Sequence, residues 1–224
     1  MNNMNIVVFS THPDDETLGC GGTLLKSKDN GEILYWIICT RIYEEFGYSR
    51  NFIAKRDKEI NNVSMQYGFE KIFELDVPTT KLDSFPRDIL VDKISKIFDD
   101  IKPNIVFLPH RGDVHSDHRI VFDAGYSCTK SFRHKSIKKI LMMETLSETE
   151  FAPALEECSF IPNYYVDISK YLDEKIKIMK LYKSEIKRHP FPRSERNIKS
   201  LASFRGASAG CKAAESFVLL KEIA

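Results

Sequence analysis

The sequence has no long apolar run and no surplus of charge of either sign. None of its apolar stretches approaches the ~20 consecutive residues that a membrane-spanning helix needs, and its start lacks the basic residues and apolar core of a signal peptide. With 33 basic and 32 acidic residues, the formal net charge is +1, so no bulk field attracts nucleic acid or an anionic membrane. We therefore expect a cytoplasmic protein without a transmembrane segment and without nucleic acid as a partner.

Paired cysteines are also missing. The five cysteines are odd in number, and no two of them form a CxxC pair, which argues against a thiolate zinc site and a disulfide framework. Hydrophobic residues make up 42% of the 224 positions, which is enough for one substantial core. Because no repeat, low-complexity tract or linker divides the chain, we predict a single domain over residues 1–224.

Apolar runs alternate with amphipathic segments along the chain. The runs at residues 6–9, 33–40 and 104–108 are nearly all apolar, which is typical of strands buried on both faces of a parallel sheet. Shorter strands are predicted at 71–75, 137–143 and 164–168. Amphipathic helices are predicted at 17–29, 53–67, 86–101, 120–129, 172–186 and 196–204. This alternation predicts an α/β fold, a three-layer sandwich with a mostly parallel central sheet.

A dense group of titratable side chains follows the first predicted strand. His12, Asp14, Asp15 and Glu16 lie within five residues, at the strand end where parallel α/β sheets carry their ligand sites. Burying such groups is costly unless they are paired or coordinate a metal. The alternative is a solvent-exposed acidic turn that contains one histidine, and the rest of the chain decides between the two.

A second group follows the predicted strand at 104–108. It contains three histidines and two aspartates, namely His110, Asp113, His115, Asp117 and His118. Because both groups leave strands at the same edge of the sheet, they can converge on one point. Imidazole and carboxylate suit Zn²⁺ and neighbouring divalent ions. Of the adjacent Asp14 and Asp15, one can bind the metal while the other accepts a proton from water. These residues indicate metal-assisted hydrolysis of an amide or ester.

The two groups together resemble the motifs of the PIG-L (LmbE-like) deacetylase family. The family pattern is a small residue followed by HPDDE and, far downstream, HxDH; this chain has THPDDE and DVHSDH. A glycine-containing helix after HPDDE, and the Arg205-Gly206 pair near the end, extend the resemblance along much of the chain. The resemblance implies a Rossmann-like fold and zinc-dependent removal of an N-acetyl group, typically from a compound that contains N-acetylglucosamine.

The resemblance also implies a role for each matched residue. The family's zinc ligands match three residues, which are His12, Asp15 and His118. One Zn²⁺ per chain is therefore expected, with another divalent ion as the alternative. Asp14 matches the general base, and His115 matches the histidine that stabilises the oxyanion or protonates the leaving amine. Asp117 matches the carboxylate that orients this histidine.

Three positions have alternatives that the sequence leaves open. Some sugar-thiol deacetylases of the family have a tyrosine where this chain has Asp113, which either adds a hydrogen bond or caps the loop. Arg56 resembles an arginine that binds substrate in some relatives, and it fits a helix-surface residue paired with Glu59 or Glu45 equally well. For His110 we predict a supporting position behind the residues that contact the metal.

The expected function is zinc-dependent hydrolysis that removes an N-acetyl group from an amino sugar or sugar conjugate, releasing acetate and a free amine. The alternative is an amidase or esterase with the same zinc site that acts on another N-acyl sugar or small molecule, for example an N-formyl sugar. A non-catalytic binding protein would be expected to have lost the base or a ligand, and neither is missing. By analogy with relatives, a homo-oligomer is also expected.

Overall fold

A seven-stranded sheet forms the centre of the computed structural model, which describes residues 3–224. Its strands are β1 Asn5–Ser10, β2 Ile33–Arg41, β3 Lys71–Pro78, β4 Ile105–Leu108, β5 Lys139–Met143, β6 Tyr164–Asp167 and β7 Ala214–Glu222. The strand order is β3-β2-β1-β4-β5-β7-β6. The first five strands are parallel and follow the order of a Rossmann fold, whereas β7 is antiparallel to both of its neighbours. The predicted fold class is confirmed.

Helices cover both faces of this sheet. They are α1 Asp15–Asp29, α2 Arg50–Tyr67, α3 Arg87–Ile101, α4 Ser116–Ser127, α5 Leu172–Met179 and α6 Glu195–Ala209. Alternate residues of β1 enter two separate cores: Ile6 and Val8 pack with residues of α1, α2, α5 and α6, while Val7 and Phe9 pack with residues of α3 and α4. This separation follows from the two-residue period of a strand. It explains why the central strands are apolar at every position.

Two sequence predictions need correction. The helix predicted at 172–186 ends at Met179, because the chain then turns so that Tyr182 is fully buried and its hydroxyl donates to Glu16. No helix or strand is predicted after residue 204, but Ala214–Glu222 form the nine-residue strand β7. The first two residues of the predicted domain, 1–224, lie outside the described part, and its being a single domain stays a prediction. Among residues 3–224, no helix is long and apolar enough to cross a membrane.

A buried ion pair joins α5, α1 and β7. The ammonium of Lys175 donates to the carboxylate of Glu215 at 2.7 Å and to the carbonyl of Leu18 at 2.8 Å. Glu215 also accepts from the backbone N–H groups of Gly22 and Thr23. Because both charged side chains are almost fully buried, each one depends on the other for its charge balance.

Replacing Lys175 with Met should destabilise the protein, because it leaves the Glu215 carboxylate buried without a counterion. We expect the free energy of unfolding in urea to fall by about 3–5 kcal/mol. The matched control is Lys177→Met on the same helix, where the side chain is 71% exposed and pairs only with Glu174; it should change stability by less than about 0.5 kcal/mol. If the two variants unfolded with equal free energies, the claim that Glu215 depends on Lys175 for its charge balance would be wrong.

Candidate active site

The two groups of titratable residues meet at the C-terminal edge of the sheet. The first lies between β1 and α1, and the second lies between β4 and α4, so the neighbouring parallel strands β1 and β4 bring them together. The imidazole of His12 lies 4.7 Å from that of His115 and 5.5 Å from that of His118, measured between ring centroids. The expected convergence of the two motifs is therefore observed.

Three of these residues have the composition and spacing of a metal site. Ligand atoms of His12, Asp15 and His118 lie within 4.8 Å of one another, and Nε2 of His118 is 3.4 Å from Oδ2 of Asp15. Nε2 of His12 and Nε2 of His118 are both buried without a hydrogen-bond partner in the described part of the chain. Two unpartnered imidazole nitrogens beside a carboxylate fit a divalent ion such as Zn²⁺.

Asp113 orients the His118 ring. Oδ2 of Asp113 lies 2.8 Å from Nδ1 of His118, and Oδ1 accepts a hydrogen bond from the Thr149 hydroxyl at 2.7 Å. Burial acts to lower the pKa of His118, but the carboxylates of Asp15 and Asp113 outweigh it and raise this pKa to about 9. The open alternative at Asp113 is thus resolved as a hydrogen bond, of the kind that fixes the ring orientation of a metal-binding histidine.

Asp14 occupies a strained position between β1 and α1. Its φ of 135° lies in a region that costs a non-glycine residue of order 1–3 kcal/mol and that recurs at functional sites. Its carboxylate accepts a hydrogen bond from Arg193 at 3.0 Å, and it is not among the clustered ligand atoms of the metal site. Burial and then the charge of Asp15 raise its pKa, while Arg193 acts in the opposite direction.

Glu16 holds this strained turn from inside the protein. Its carboxylate is fully buried and accepts hydrogen bonds from the hydroxyls of Ser10, Thr17 and Tyr182. It also accepts from the backbone N–H of Asp14 at 3.2 Å. Glu16 is therefore the group that fixes the backbone of Asp14.

His115 and Asp117 contact each other differently from the expectation. His115 is the N-cap of α4, and its Nδ1 accepts from the backbone N–H of Asp117 at 3.1 Å. The Asp117 carboxylate instead accepts from the backbone N–H of Thr80 at 2.8 Å and lies 3.6 Å from Nε2 of His12. No hydrogen bond joins this carboxylate to the His115 ring within residues 3–224, and the carboxylate lies toward His12 instead. That Asp117 orients His115 stays a prediction. Burial, and then His12, lower the pKa of His115.

A cavity of about 290 Å³ opens beside these residues. Its wall includes His12, Asp14 and His115, and also Arg56, for which the sequence left two alternatives. Arg56 is both a cavity residue and a paired one, because its guanidinium lies 3.5 Å from Glu59 and contacts Glu185. The alternative partner proposed from the sequence, Glu45, is not among its contacts in the described structure.

Some residues of the cavity wall could not be found from local sequence patterns. Glu185 and Arg193 are joined at 3.1 Å and come from the segment between α5 and α6, for which the sequence predicts only a helix that continues to residue 186. Only the tertiary structure brings them to Asp14, and no local motif marks them. His110 lies outside the cavity wall, and its Nε2 donates to the carbonyl of Cys158 at 3.2 Å.

Comparison with known proteins gives the family. The model of the PIG-L family, described as GlcNAc-PI de-N-acetylase, matches residues 7–129. A diacetylchitobiose deacetylase from Thermococcus kodakarensis is 24% identical, with coverage of 94% of this chain and 80% of the relative. A probable N-acetyl-α-D-glucosaminyl L-malate deacetylase 2 from Bacillus cereus is also 24% identical, with coverage of 81% and 83%.

Solved structures share the fold at low sequence identity. The N,N′-diacetylchitobiose deacetylase from Pyrococcus horikoshii has a TM-score of 0.79 at 21% identity, with coverage of 98% of this chain and 85% of that one. The 4-carboxy-2-hydroxymuconate hydratase from Pseudomonas putida has a TM-score of 0.75 at 13% identity, with coverage of 99% and 98%. Because that hydratase is named for a different reaction, the shared fold alone does not establish the activity of this chain. The family match includes both sequence motifs and more than half of the chain, which therefore belongs to the PIG-L family and is an N-deacetylase.

Proposed function

We propose that this protein is a zinc-dependent hydrolase that removes an N-acetyl group from an amino sugar or sugar conjugate. The observation that carries the proposal is the pair of buried, unpartnered nitrogens of His12 and His118 next to Asp15. A separate carboxylate, that of Asp14, lies on the wall of the same cavity. A metal set with an additional base beside it is the arrangement that amide hydrolysis requires.

His12, Asp15 and His118 would hold the metal ion. When bound, a divalent ion supplies Lewis-acid polarisation of an oxygen and lowers the pKa of water. Asp113 supports this role because its hydrogen bond to Nδ1 of His118 leaves Nε2 of the same ring free to act as a ligand. The identity of the ion as zinc is supported by the two imidazoles and one carboxylate, which match a common catalytic zinc set.

Asp14 is assigned as the general base. It accepts a proton from the attacking water while the water oxygen bonds to the acetyl carbon. The bond between that carbon and the amide nitrogen then breaks, the proton passes from Asp14 to the nitrogen, and acetate leaves together with a free amine. Arg193 and Glu16 hold the side chain and the backbone of Asp14 for this transfer.

His115 is assigned the role of stabilising the oxyanion that forms during hydrolysis. Since its Nδ1 accepts a hydrogen bond from the backbone of Asp117, the neutral ring carries its proton on Nε2. A neutral N–H donor stabilises the negative charge that develops on the carbonyl oxygen. Of the two roles that the family resemblance allows, stabilising the oxyanion is thus favoured over protonating the amine.

An amino sugar is favoured as substrate by two observations. Tyr48 and Phe52 lie on the cavity wall with their rings stacked at 6.0 Å, and aromatic faces of this kind pack against the apolar face of a sugar ring. The relatives from Thermococcus kodakarensis and Bacillus cereus are both named for N-acetyl sugar compounds. A cytoplasmic location and a homo-oligomer stay predictions.

Metal analysis combined with a substrate screen tests the proposal. We expect about one zinc per purified chain, acetate release from N-acetyl sugars, loss of activity after chelation and recovery when zinc is restored. N-formyl and longer N-acyl sugars serve as the comparison. Faster hydrolysis of an N-formyl sugar would favour the alternative function, and zinc-loaded protein that releases no acetate from any N-acetyl sugar would contradict the proposal.

A further inference from the structure

The cavity wall carries more negative than positive side chains. Its three guanidinium groups are those of Arg41, Arg56 and Arg193. Its six carboxylates are those of Asp14, Asp15, Asp57, Glu74, Glu148 and Glu185. One divalent ion at the metal set, with neutral imidazoles, would still leave an excess of negative charge around the substrate.

Two of the three guanidinium groups are engaged with one shared carboxylate. Arg56 and Arg193 both contact Glu185, with 3.1 Å between Glu185 and Arg193. Arg193 also donates to Asp14 at 3.0 Å. An anionic substrate group that took Arg56 would compete with the carboxylates already paired to it, whereas one that took Arg193 would leave the buried Asp14 without its salt-bridge partner. Such an exchange leaves a largely buried carboxylate uncompensated, which is strongly unfavourable.

The third guanidinium lies on another part of the wall and is paired as well. Arg41 donates to Glu74 at 2.8 Å and to Asp57 at 3.1 Å, and it lies 3.7 Å from Asp76. The carboxylates around it outnumber its single charge. The positive charge of Arg41 is therefore already compensated and is not available to attract an anion.

Glu148 is the cavity carboxylate without a basic partner. Its Oε2 atom is buried, and neither a hydrogen bond nor a salt bridge to it occurs among residues 3–224. It follows Ser147, whose φ of 75° marks a strained turn that sets where Glu148 lies. Burial raises the pKa of Glu148, the charge of His118 lowers it and that of Asp15 raises it. Glu148 thus presents to the cavity a carboxylate that forms no salt bridge within residues 3–224.

We propose that this cavity selects an uncharged N-acetyl sugar conjugate over an anionic one, and that Glu148 is a residue that determines this specificity. The inference rests on the proposed function. It rests physically on the pairing of every guanidinium described on the wall with at least one carboxylate, and on the unpaired carboxylate of Glu148 that an incoming anion would meet. Specificity of this kind arises from repulsion of the wrong ligand as much as from attraction of the right one.

The test compares two substrates of nearly equal shape and different charge. These are N-acetylglucosaminyl malate, which carries two carboxylates, and its dimethyl ester, which carries none. We expect kcat/KM for acetate release to be at least about tenfold higher for the ester, because juxtaposed like charges disfavour binding. In Glu148→Gln the ratio of kcat/KM for the ester to kcat/KM for the malate compound should fall by at least about threefold. The fall should come mainly from a lower KM for the malate compound, while the zinc content stays unchanged.

Glu70→Gln is the matched control, because Glu70 is exposed and far from the cavity wall; it should leave the ratio as in the wild type. Equal or faster hydrolysis of the malate compound by the wild type would overturn the inference while leaving the proposed function intact. A ratio that does not change in Glu148→Gln would overturn the assignment of Glu148. No acetate from either substrate or from any N-acetyl sugar in the screen would instead mean that the proposed function itself is wrong.

Discussion

Replacing Asp14 with Asn should lower kcat by roughly 10²- to 10⁴-fold, the usual range for the loss of a general base. The substituted amide has nearly the same size and can still accept the hydrogen bond that Arg193 donates at 3.0 Å, but it cannot accept a proton from water. The variant should retain its zinc, because Asp14 is not part of the clustered His12, Asp15 and His118 set. Acetate release at saturating substrate and zinc content per chain are the measurements.

Asp15→Asn is the matched comparison, one residue along the chain. Its side chain belongs to the metal set and also accepts the backbone N–H of His12 at 2.8 Å, so an amide preserves the turn but binds a cation less well. We expect this variant to lose zinc affinity, with activity partly restored by excess zinc. The opposite pattern, in which Asp14→Asn loses the metal and Asp15→Asn keeps it, would reverse the division of roles between the two carboxylates.

The sequence predicts the centre of this site because its residues lie within two short strings. THPDDE and DVHSDH each come after a buried parallel strand, and the loops that leave the ends of parallel strands lie together at one edge of the sheet. The direction of each side chain is less predictable. The Asp117 carboxylate contacts Thr80 rather than His115, because the start of α4 supplies a backbone N–H to the His115 ring instead.

The outer wall of the site could not be predicted from local patterns. Glu185 and Arg193 lie in a segment that the 3.6-residue period partly assigns to a continuing helix. The period persists because Tyr182 and Ile186 still pack inward against the core, although regular helix ends at Met179. A hydrophobic pattern records which residues face the core, and it does not record whether the chain between them remains helical.

Asp113 is a residue for which the structure decides between the alternatives that the sequence leaves open, and it carries the second large expected effect. Replacing it with Ala removes the acceptor 2.8 Å from Nδ1 of His118, and we expect zinc affinity to fall by about 10- to 100-fold, as for other carboxylates that orient a metal-binding histidine. Asp113→Asn should have a smaller effect, because its amide oxygen can still accept from Nδ1. Competition with a zinc chelator measures both affinities.

Two further measurements distinguish a lost orientation of the His118 ring from a general loss of structure in Asp113→Ala. Asp123→Ala on the same helix as His118 removes only a surface ion pair with Arg87, so its zinc affinity should equal that of the wild type. At saturating zinc, Asp113→Ala should regain most of its kcat, since Asp14 and His115 are untouched. If kcat stayed low when the metal site was full, Asp113 would act on the reaction itself rather than through the ring of His118.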